Sequence, residues 1–489
     1  MKGFSRLDYC IVVGYVVAVA VLGSSFYRRG STAKDYFLGG RLISWIPAGI
    51  SIVAADLSAI TVMGIPAWSY AHNLQLMWYS ATYLLAAPVV IYIFIPFYSR
   101  LHLFTAYEYL ERRFNLSVRL VTSALFQALR AAHVAIALYA PSLIINLVTG
   151  IPVWKCILCM GAFTTIYTVI GGMKAVIWTD VLQFCTVGAG LLSICTVAID
   201  RVPGKLGGVY RIAGAAGRLS FLNLSTDPSE RTSLWACLIG GFVLVLTGLT
   251  TDQSILQRLF TTKSAADAKR SIILQTVVNI PVIMLLNLIG ITLFAFYSSH
   301  QAGLAGLSKN DAIVPFFAVT QLPTGVSGLV IAAICAASMG VMSAGINALS
   351  TATTVDFYQR VIRPTEAPEH YAFVGRILTA GWGICCAGLA LFAGRLGDLA
   401  LAFYRVSSFV CGPLLGIFLL GSATKRTTSR GALIGGVAGA SVVLLLTLFT
   451  DWNFFYKSAI GLMMTFASGY VGSFLESPPT RETIQPYVL

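Results

Sequence analysis

Long apolar runs separated by short polar segments occupy most of this 489-residue chain. A helix needs about 20 apolar residues to cross the hydrocarbon core of a bilayer. Thirteen runs meet that criterion, at about 8–27, 43–71, 76–99, 118–148, 153–171, 176–198, 233–257, 271–298, 326–357, 373–394, 398–421, 431–450 and 455–475. The pattern therefore predicts an all-α polytopic membrane protein, in which residues 1–489 form a single transmembrane domain.

The second run is apolar at both ends but polar in the middle. It carries Asp56, Ser58 and Thr61, followed by Gly64 and Pro66. A charge at that depth is costly unless it is paired or faces water. A broken helix would free backbone groups at the bilayer midplane, as in transporter ion sites. The alternative is an ordinary helix with a Pro kink and a polar packing face.

The seventh run has a similar polar stretch, TGLTTD, at Thr247–Asp252. It follows the second run by five spans. Corresponding broken helices in two halves of a chain indicate a transporter built from inverted repeats. The two stretches therefore favour a transporter over other classes of membrane protein.

Basic residues concentrate in alternate segments between the runs. These segments are 28–42, 99–119, 258–270 (which includes Arg258), 358–376 and 422–430. Cytoplasmic loops are enriched in Lys and Arg, so the pattern predicts an outer N-terminus and a cytoplasmic C-terminus. The longer segments 199–232 and 299–325 then lie outside and are expected to carry short surface helices. The polar segment 105–115 is expected to form a helix along the membrane.

Composition narrows the class further. The chain is 57% hydrophobic and only 11% charged, whereas a soluble protein has roughly 25% charged residues. The net charge of +14 follows from the loops and does not indicate a nucleic-acid partner. We find no nucleophile–base spacing, metal cluster or phosphate loop, so an enzyme and a bound cofactor are not expected. The expected partners are the lipid bilayer and a small solute; a monomer suffices, and the oligomeric state stays open.

Three motifs resemble the solute:sodium symporter family. They are AADLSAITVMGIP at 54–66, GGMKAVIWTDVLQ at 171–183 and DQSILQR at 252–258. The second resembles the signature GG-x-x-A-V-x-x-T-D-x-x-Q and is the most specific. The resemblance runs from about residue 8 to 475. It implies the LeuT-like fold, with one inverted repeat at 43–198 and the other at 233–421, and alternating access to a site at the midplane.

The resemblance also implies a sodium site between two core helices. Its backbone carbonyls match Ala54, Leu57 and Ala337. Its two hydroxyl ligands fall on Gly340 and Val341, which have no side-chain oxygen. Losing two of about five oxygen ligands should weaken a cation site severely. Sodium coupling is therefore in doubt at the sequence level.

Two acids could compensate. Asp180 matches the carboxylate of a second sodium site in some family members, where Ser343 matches one hydroxyl and Ala344 replaces another. Asp56 matches a coupling Asp of the proline symporters. Asp56 and Asp180 are expected either to hold a relocated Na+ or to exchange H+. Alternatively, Asp180 only links helices and Asp56 only faces the cavity.

The substrate positions implied by the family differ here from those of the sugar carriers. Thr61 and Tyr404 each stand where a Gln occurs, Asp252 replaces an Asn, and Arg405 stands where a Glu occurs. Ser254 replaces the inner aromatic gate. A sugar clamp is therefore not reproduced.

Arg130 and Arg405 are the basic residues that we place well inside the predicted spans. Arg binds carboxylates through paired hydrogen bonds, so they suggest an anionic substrate. The alternatives are that Arg130 pairs with an internal acid or carbonyl and that Arg405 reaches the outer surface. Trp78 could line the cavity, and His133 is more typical of packing than of proton relay.

The sequence thus predicts a secondary active transporter for cation-coupled uptake of a sugar, polyol or organic anion. The alternatives are a proton-coupled symporter and an uncoupled facilitator or sensor. The expected location is a bacterial inner membrane or a plasma membrane.

Overall fold

A computed structural model of the chain describes residues 4–27, 32–300, 310–394 and 399–489. The side chains of residues 147, 148, 399–405, 481 and 483 lie outside that description. The described residues are helical and form no strand; one isolated bridge joins Ile43 to Thr262. An all-α protein was predicted, and this prediction is confirmed.

The α-helices, in chain order, are α1 Arg6–Ser24, α2 Ala33–Leu38, α3 Trp45–Asp56, α4 Ala59–Ala71, α5 Met77–Val89, α6 Ile95–Leu101, α7 Ala106–Arg113, α8 Leu116–Thr149, α9 Val153–Arg201, α10 Lys205–Ala215, α11 Leu234–Thr251, α12 Gln253–Phe260, α13 Ala265–Ser299, α14 Ile313–Gln321, α15 Val326–Ala352, α16 Pro368–Ala393, α17 Leu399–Ala423, α18 Ser429–Phe449, α19 Phe454–Gly472 and α20 Arg481–Ile484. Wider π-helical turns join α5 to α6 and continue α15 to Ile362.

Eleven of the described helices are long and apolar enough to cross a membrane. The pair α3 and α4, bent by 60° at a short break, is a twelfth candidate. The predicted spans 153–171 and 176–198 fall within the single helix α9. The count of thirteen, the orientation of the termini and the division into two repeats stay predictions.

Helix α9 would be roughly 70 Å long if it were straight, more than twice the hydrocarbon thickness. It is interrupted at Gly172, where φ is +57° and ψ is −151°. This backbone conformation is essentially restricted to glycine. A Cβ on Gly172 would also lie 2.7 Å from the Tyr36 carbonyl oxygen. Gly172 therefore allows the chain to turn while α2 packs directly against it.

Helix α15 forms the centre of the bundle. Every residue from 330 to 352 is buried, and most are Ala, Gly, Ser or other small residues. Small residues let helix backbones approach closely in a membrane protein. By contrast, only 22% of the apolar window of α1 and of α18 is buried, which is expected for helices at the lipid-facing periphery. The breaks described below face α15 and its neighbours.

The predicted short helices are present. Helix α10 lies in segment 199–232, and α14 in segment 299–325, of which 301–309 are outside the described residues. Helix α7 confirms the helix predicted at 105–115. It is more enclosed than expected, because Tyr107, Tyr109 and Leu110 are fully buried. It packs into the bundle rather than lying only on the membrane surface.

Candidate ion and substrate site

The predicted break in the second span is confirmed, but it lies between Asp56 and Ala59 and not at Gly64 and Pro66, which are inside α4. Leu57 leaves helical geometry, with φ −87° and ψ 81°. Ser58 then starts α4, because its side chain accepts a hydrogen bond from the Thr61 N–H at 3.2 Å. The Ser58 N–H donates to the Asp56 carbonyl. It therefore does not bond to the Ala54 carbonyl, its acceptor in a continuous helix. The break leaves the Ala54 carbonyl available to another partner.

Asp180 lies beside this break and is fully buried. Its Oδ2 accepts hydrogen bonds from Ser51 Oγ at 2.5 Å and from Arg258 Nη2 at 2.7 Å. The guanidinium also donates from Nε to Ser51 Oγ. Asp180 thus links α9, α3 and α12. The other carboxylate oxygen, Oδ1, has no hydrogen-bond partner among the described residues.

Gly340, at one of the hydroxyl positions of the implied sodium site, faces three oxygen atoms. A Cβ on Gly340 would lie 2.9 Å from Gln183 Oε1, 3.5 Å from the Ala54 carbonyl oxygen and 3.7 Å from Asp180 Oδ1. Gln183 Oε1 is buried and also lacks a partner among the described residues. The space beside Gly340 is therefore lined by oxygen atoms that can accept but not donate a hydrogen bond.

Asp56 lies at the end of α3 and is half-buried. Tyr83 donates a hydrogen bond to its Oδ2 at 3.4 Å. No Lys, Arg or His nitrogen of the described residues lies within 4.0 Å of its carboxylate. Asp56 interacts electrostatically with Asp252, Arg130 and Arg258. The two helix breaks therefore share one electrostatic environment.

The second break, at Asp252, separates α11 from α12. Asp252 has extended geometry, and its Oδ1 accepts the Ser254 N–H at 2.8 Å, so that it caps α12. The carbonyl groups before the break are bonded: Tyr98 donates to Thr250 at 2.7 Å and Tyr107 to Thr251 at 2.9 Å. This break therefore differs from the first, where the Ala54 carbonyl loses its helical partner.

Arg130 of α8 reaches this break and is 5% exposed. Its Nη2 lies 2.5 Å from Asp252 Oδ2 and also bonds to Ser254 Oγ. Its Nη1 contacts His133 Nδ1 at 3.1 Å. From the sequence, Arg130 was expected either to bind an anionic substrate or to pair with an internal acid or carbonyl. In the structure it pairs with an internal acid, Asp252. Asp252 is 22% exposed, so part of this ion pair is accessible to solvent.

The other predicted site residues are placed as follows. Thr61 is half-buried in the first turn of α4, next to Ser58. Ala337 is buried in α15, and Ser343 donates to the Gly340 carbonyl at 3.1 Å. Trp78 donates from its indole to the Phe221 carbonyl at 2.7 Å, in the segment predicted to lie outside.

The remaining two predicted residues, Tyr404 and Arg405, lie in the first turns of α17. Their side chains are outside the described part of the structure. Their predicted contact with substrate therefore stays a prediction.

Arg258 corrects one sequence-level interpretation. We counted it among the basic residues of the predicted cytoplasmic segment 258–270 and named only Arg130 and Arg405 as interior. The structure buries it to 1% exposure against Asp180. Arg258 lies six residues after Asp252, and this closeness to the break was the sequence feature that could have identified it. Gln183 was also missed, although it closes the signature motif that contains Asp180.

The structure has two broken helices with charged side chains at the breaks. This arrangement is typical of one class of protein, the secondary transporters. Comparison with known proteins identifies the family. The model of the "Sodium:solute symporter family" matches residues 36–439. The chain belongs to this family, whose members are transporters rather than enzymes.

Relatives from bacteria and animals support this assignment. The sodium/sialic acid symporter NanT of Aliivibrio fischeri is 31% identical over 96% of this chain and 93% of its own length. The sodium-coupled monocarboxylate transporter 1 of Homo sapiens is 31% identical over 89% of this chain and 72% of its own length. This chain is accordingly an integral protein of a plasma or bacterial inner membrane.

A solved structure shows the same fold. It is the substrate-bound, outward-open state of a Na+-coupled sialic acid symporter, described as revealing a novel Na+ site. The TM-score is 0.92 and the sequence identity 29%, over 98% of this chain and 99% of that one. The fold is therefore the LeuT-like fold, as the sequence resemblance implied.

Proposed function

We propose that this protein takes up a small organic anion together with Na+ by alternating access. One observation supports the coupling of transport to a cation. Around the two breaks, three carboxylates (Asp56, Asp180 and Asp252) meet two guanidiniums (Arg130 and Arg258), and two of the carboxylates are ion-paired. Among the side chains that the structure describes, Asp56 in its ionised form leaves one negative charge without a paired cation. Such a charge is costly inside a membrane, so that a bound Na+ would stabilise it.

The choice of an organic anion is supported by Arg130. Its guanidinium forms an ion pair with Asp252, the residue at the second break, and Asp252 is 22% exposed. A substrate carboxylate can exchange with Asp252 at this guanidinium, because Arg binds carboxylates through a planar fork. The relatives named above include carriers of sialic acid and of monocarboxylates, which are acids. Sugars and polyols remain the comparison substrates in the test.

Proton coupling is an alternative that the same carboxylate permits, because a proton also neutralises Asp56. An uncoupled facilitator is the second candidate, and Arg258 favours it. Its guanidinium already supplies a fixed positive charge at Asp180, beside the implied sodium site. Because the Arg258 guanidinium already neutralises the Asp180 carboxylate, a bound Na+ is not required to do so.

The experiment is uptake into proteoliposomes that contain the purified full-length chain. Carboxylates, sialic acids, sugars and polyols are offered under an inward Na+ gradient, an inward proton gradient, or neither. We expect uptake of a carboxylate that requires Na+. Uptake driven only by the proton gradient would show that H+ and not Na+ is the coupling ion. Uptake that depends on neither gradient would show that the protein is a facilitator. Transport limited to sugars or polyols would overturn the anion assignment.

A further inference from the structure

The space beside Gly340 is lined by buried oxygen atoms that have no hydrogen-bond partner in the described part of the chain. Gln183 is 1% exposed, and its Oε1 has no hydrogen-bond donor among the described residues. Asp180 Oδ1, one helical turn earlier on the same face of α9, is in the same condition. Leaving a buried acceptor unpaired destabilises the folded protein, because the group loses its hydrogen bond to water without gaining another. Two such groups that point at one space indicate that a further partner belongs there.

The orientation of the Gln183 amide is set by its other end. Its Nε2 donates to the Tyr167 hydroxyl at 3.4 Å, which directs Oε1 toward Gly340. The Ala54 carbonyl, released by the helix break, faces the same space. A carboxylate, an amide oxygen and a backbone carbonyl are the hard oxygen ligands that bind alkali and alkaline-earth cations.

A side chain at position 340 is incompatible with the observed placement of the Gln183 amide group. A Cβ on Gly340 would lie only 2.9 Å from Gln183 Oε1, closer than such atoms approach. A hydroxyl residue at 340, as the family resemblance implies, would therefore displace the amide. The glycine that removes the expected ligand also admits a different oxygen atom in its place.

We propose that Gln183 is a cation ligand, which replaces the missing hydroxyl of the sodium site together with Ala54 and Asp180. This inference rests on the proposed function and names a ligand of its ion. The amide is neutral, as a hydroxyl is, so that the replacement preserves the charge of the site.

The test is direct Na+ binding by the purified full-length chain in the absence of solute. Binding of radioactive Na+ and the Na+-dependent rise in Tm both report it. We expect Gln183→Ala and Gly340→Ala to weaken Na+ binding by about tenfold or more. The double variant Gln183→Ala/Gly340→Ser restores a hydroxyl in the vacated space. We expect it to bind Na+ more tightly than Gln183→Ala does and to recover most of the affinity that Gln183→Ala loses.

Two control variants make the result specific. Gln275→Ala, on α13, removes another buried Gln with one amide atom, Nε2, that has no partner among the described residues. Gly188→Ala adds a Cβ on α9 that meets no described atom within 4 Å. Both should bind Na+ as the wild type does. Tm in Na+-free buffer identifies any variant that is misfolded, and recovery in the double variant excludes that explanation for Gln183→Ala.

The outcomes separate the two proposals. If the wild type binds Na+ and Gln183→Ala binds it equally well, the role of Gln183 is refuted while sodium coupling stands. If the wild type shows no Na+ binding, sodium coupling itself fails, and this inference fails with it. Equal loss in Gln183→Ala and in the double variant, with both variants folded, would also refute ligation by Gln183.

Discussion

Arg258 Nη2 lies 2.7 Å from Asp180 Oδ2, and the two side chains are 1% and 0% exposed. They lie on different helices, α12 and α9, and Ser51 of α3 bonds to both. This pair therefore ties the second broken helix to the first. Because both side chains are buried, each charge has lost its hydration and is stabilised mainly by the opposite charge of its partner.

Removing one member of this pair should strongly destabilise the protein. Asp180→Asn or Arg258→Met leaves the other charge buried without its partner, which costs about 3–5 kcal/mol. The combined Asp180→Asn/Arg258→Met variant should lose less than the sum of the two single variants. Thermal unfolding in detergent measures all three. Additive losses would show that the two charges are not energetically coupled.

The ion pair between Arg130 and Asp252 gives a prediction about substrate affinity. In Asp252→Asn the neutral amide still caps α12, but it releases the guanidinium from its internal carboxylate. An anionic substrate then has no competitor at Arg130, and its KM should fall by up to about tenfold, or about 1.4 kcal/mol. Uptake kinetics in proteoliposomes measure this effect.

The matched variant Arg130→Gln should abolish uptake of the anion, and Ser254→Ala should have a small effect. An unchanged KM in Asp252→Asn would argue against the exchange of carboxylates at Arg130.

Glu111, on α7 and outside the membrane-spanning helices, gives a prediction about pH. Its carboxylate lies 2.6 Å from Arg119 Nη1 and 2.6 Å from Arg360 Nη2. Burial opposes its ionisation, but hydrogen bonds from Arg360 and Arg119 outweigh burial and hold the pKa of Glu111 below its usual value. The charged form is therefore favoured in the folded protein.

A lowered pKa in the folded state means that this stabilisation is present above the ordinary Glu value of about 4.3. It is lost as the pH falls through the lower folded value. Glu111→Gln should therefore be less stable than the wild type near neutral pH, by at most about 1 kcal/mol because Arg360 is half-exposed. The difference should disappear in acid. A difference in Tm that does not change with pH would contradict the ion-pair origin.

Gly172 gives a prediction about backbone strain. Gly172→Ala places a Cβ in a conformation that L-residues rarely adopt and 2.7 Å from the Tyr36 carbonyl oxygen. The strain alone costs about 1–3 kcal/mol, and the clash adds to it. In Gly188→Ala, on the same helix, the added Cβ meets no atom of the described residues within 4 Å, so this variant should be neutral or slightly stabilising. Equal Tm values for the two variants would show that Gly172 is not strained.

Local features of the sequence sufficed to predict the helices and the first break. Apolar runs of about 20 residues determine membrane spans because an unpaired backbone group is too costly in lipid. Asp56 and Ser58 interrupt such a run, and the structure breaks the helix at Leu57 and Ser58, whereas Gly64 and Pro66 lie inside α4 and do not break it. The motif that ends in Asp180 and Gln183 also sufficed to predict the family.

The pairing of the buried charges was decided by the tertiary structure. The cost of a buried charge predicts that Arg130 has a partner, but not which acid it is, and Asp252 is 122 residues away. Arg258 looked like a loop residue because its neighbours Lys263 and Lys269 are basic, and only the fold carries it to Asp180. The contact between Gln183 and Gly340 joins α9 to α15, and no local pattern encodes it. Such contacts depend on how distant helices meet, because the same local preferences are compatible with many partners.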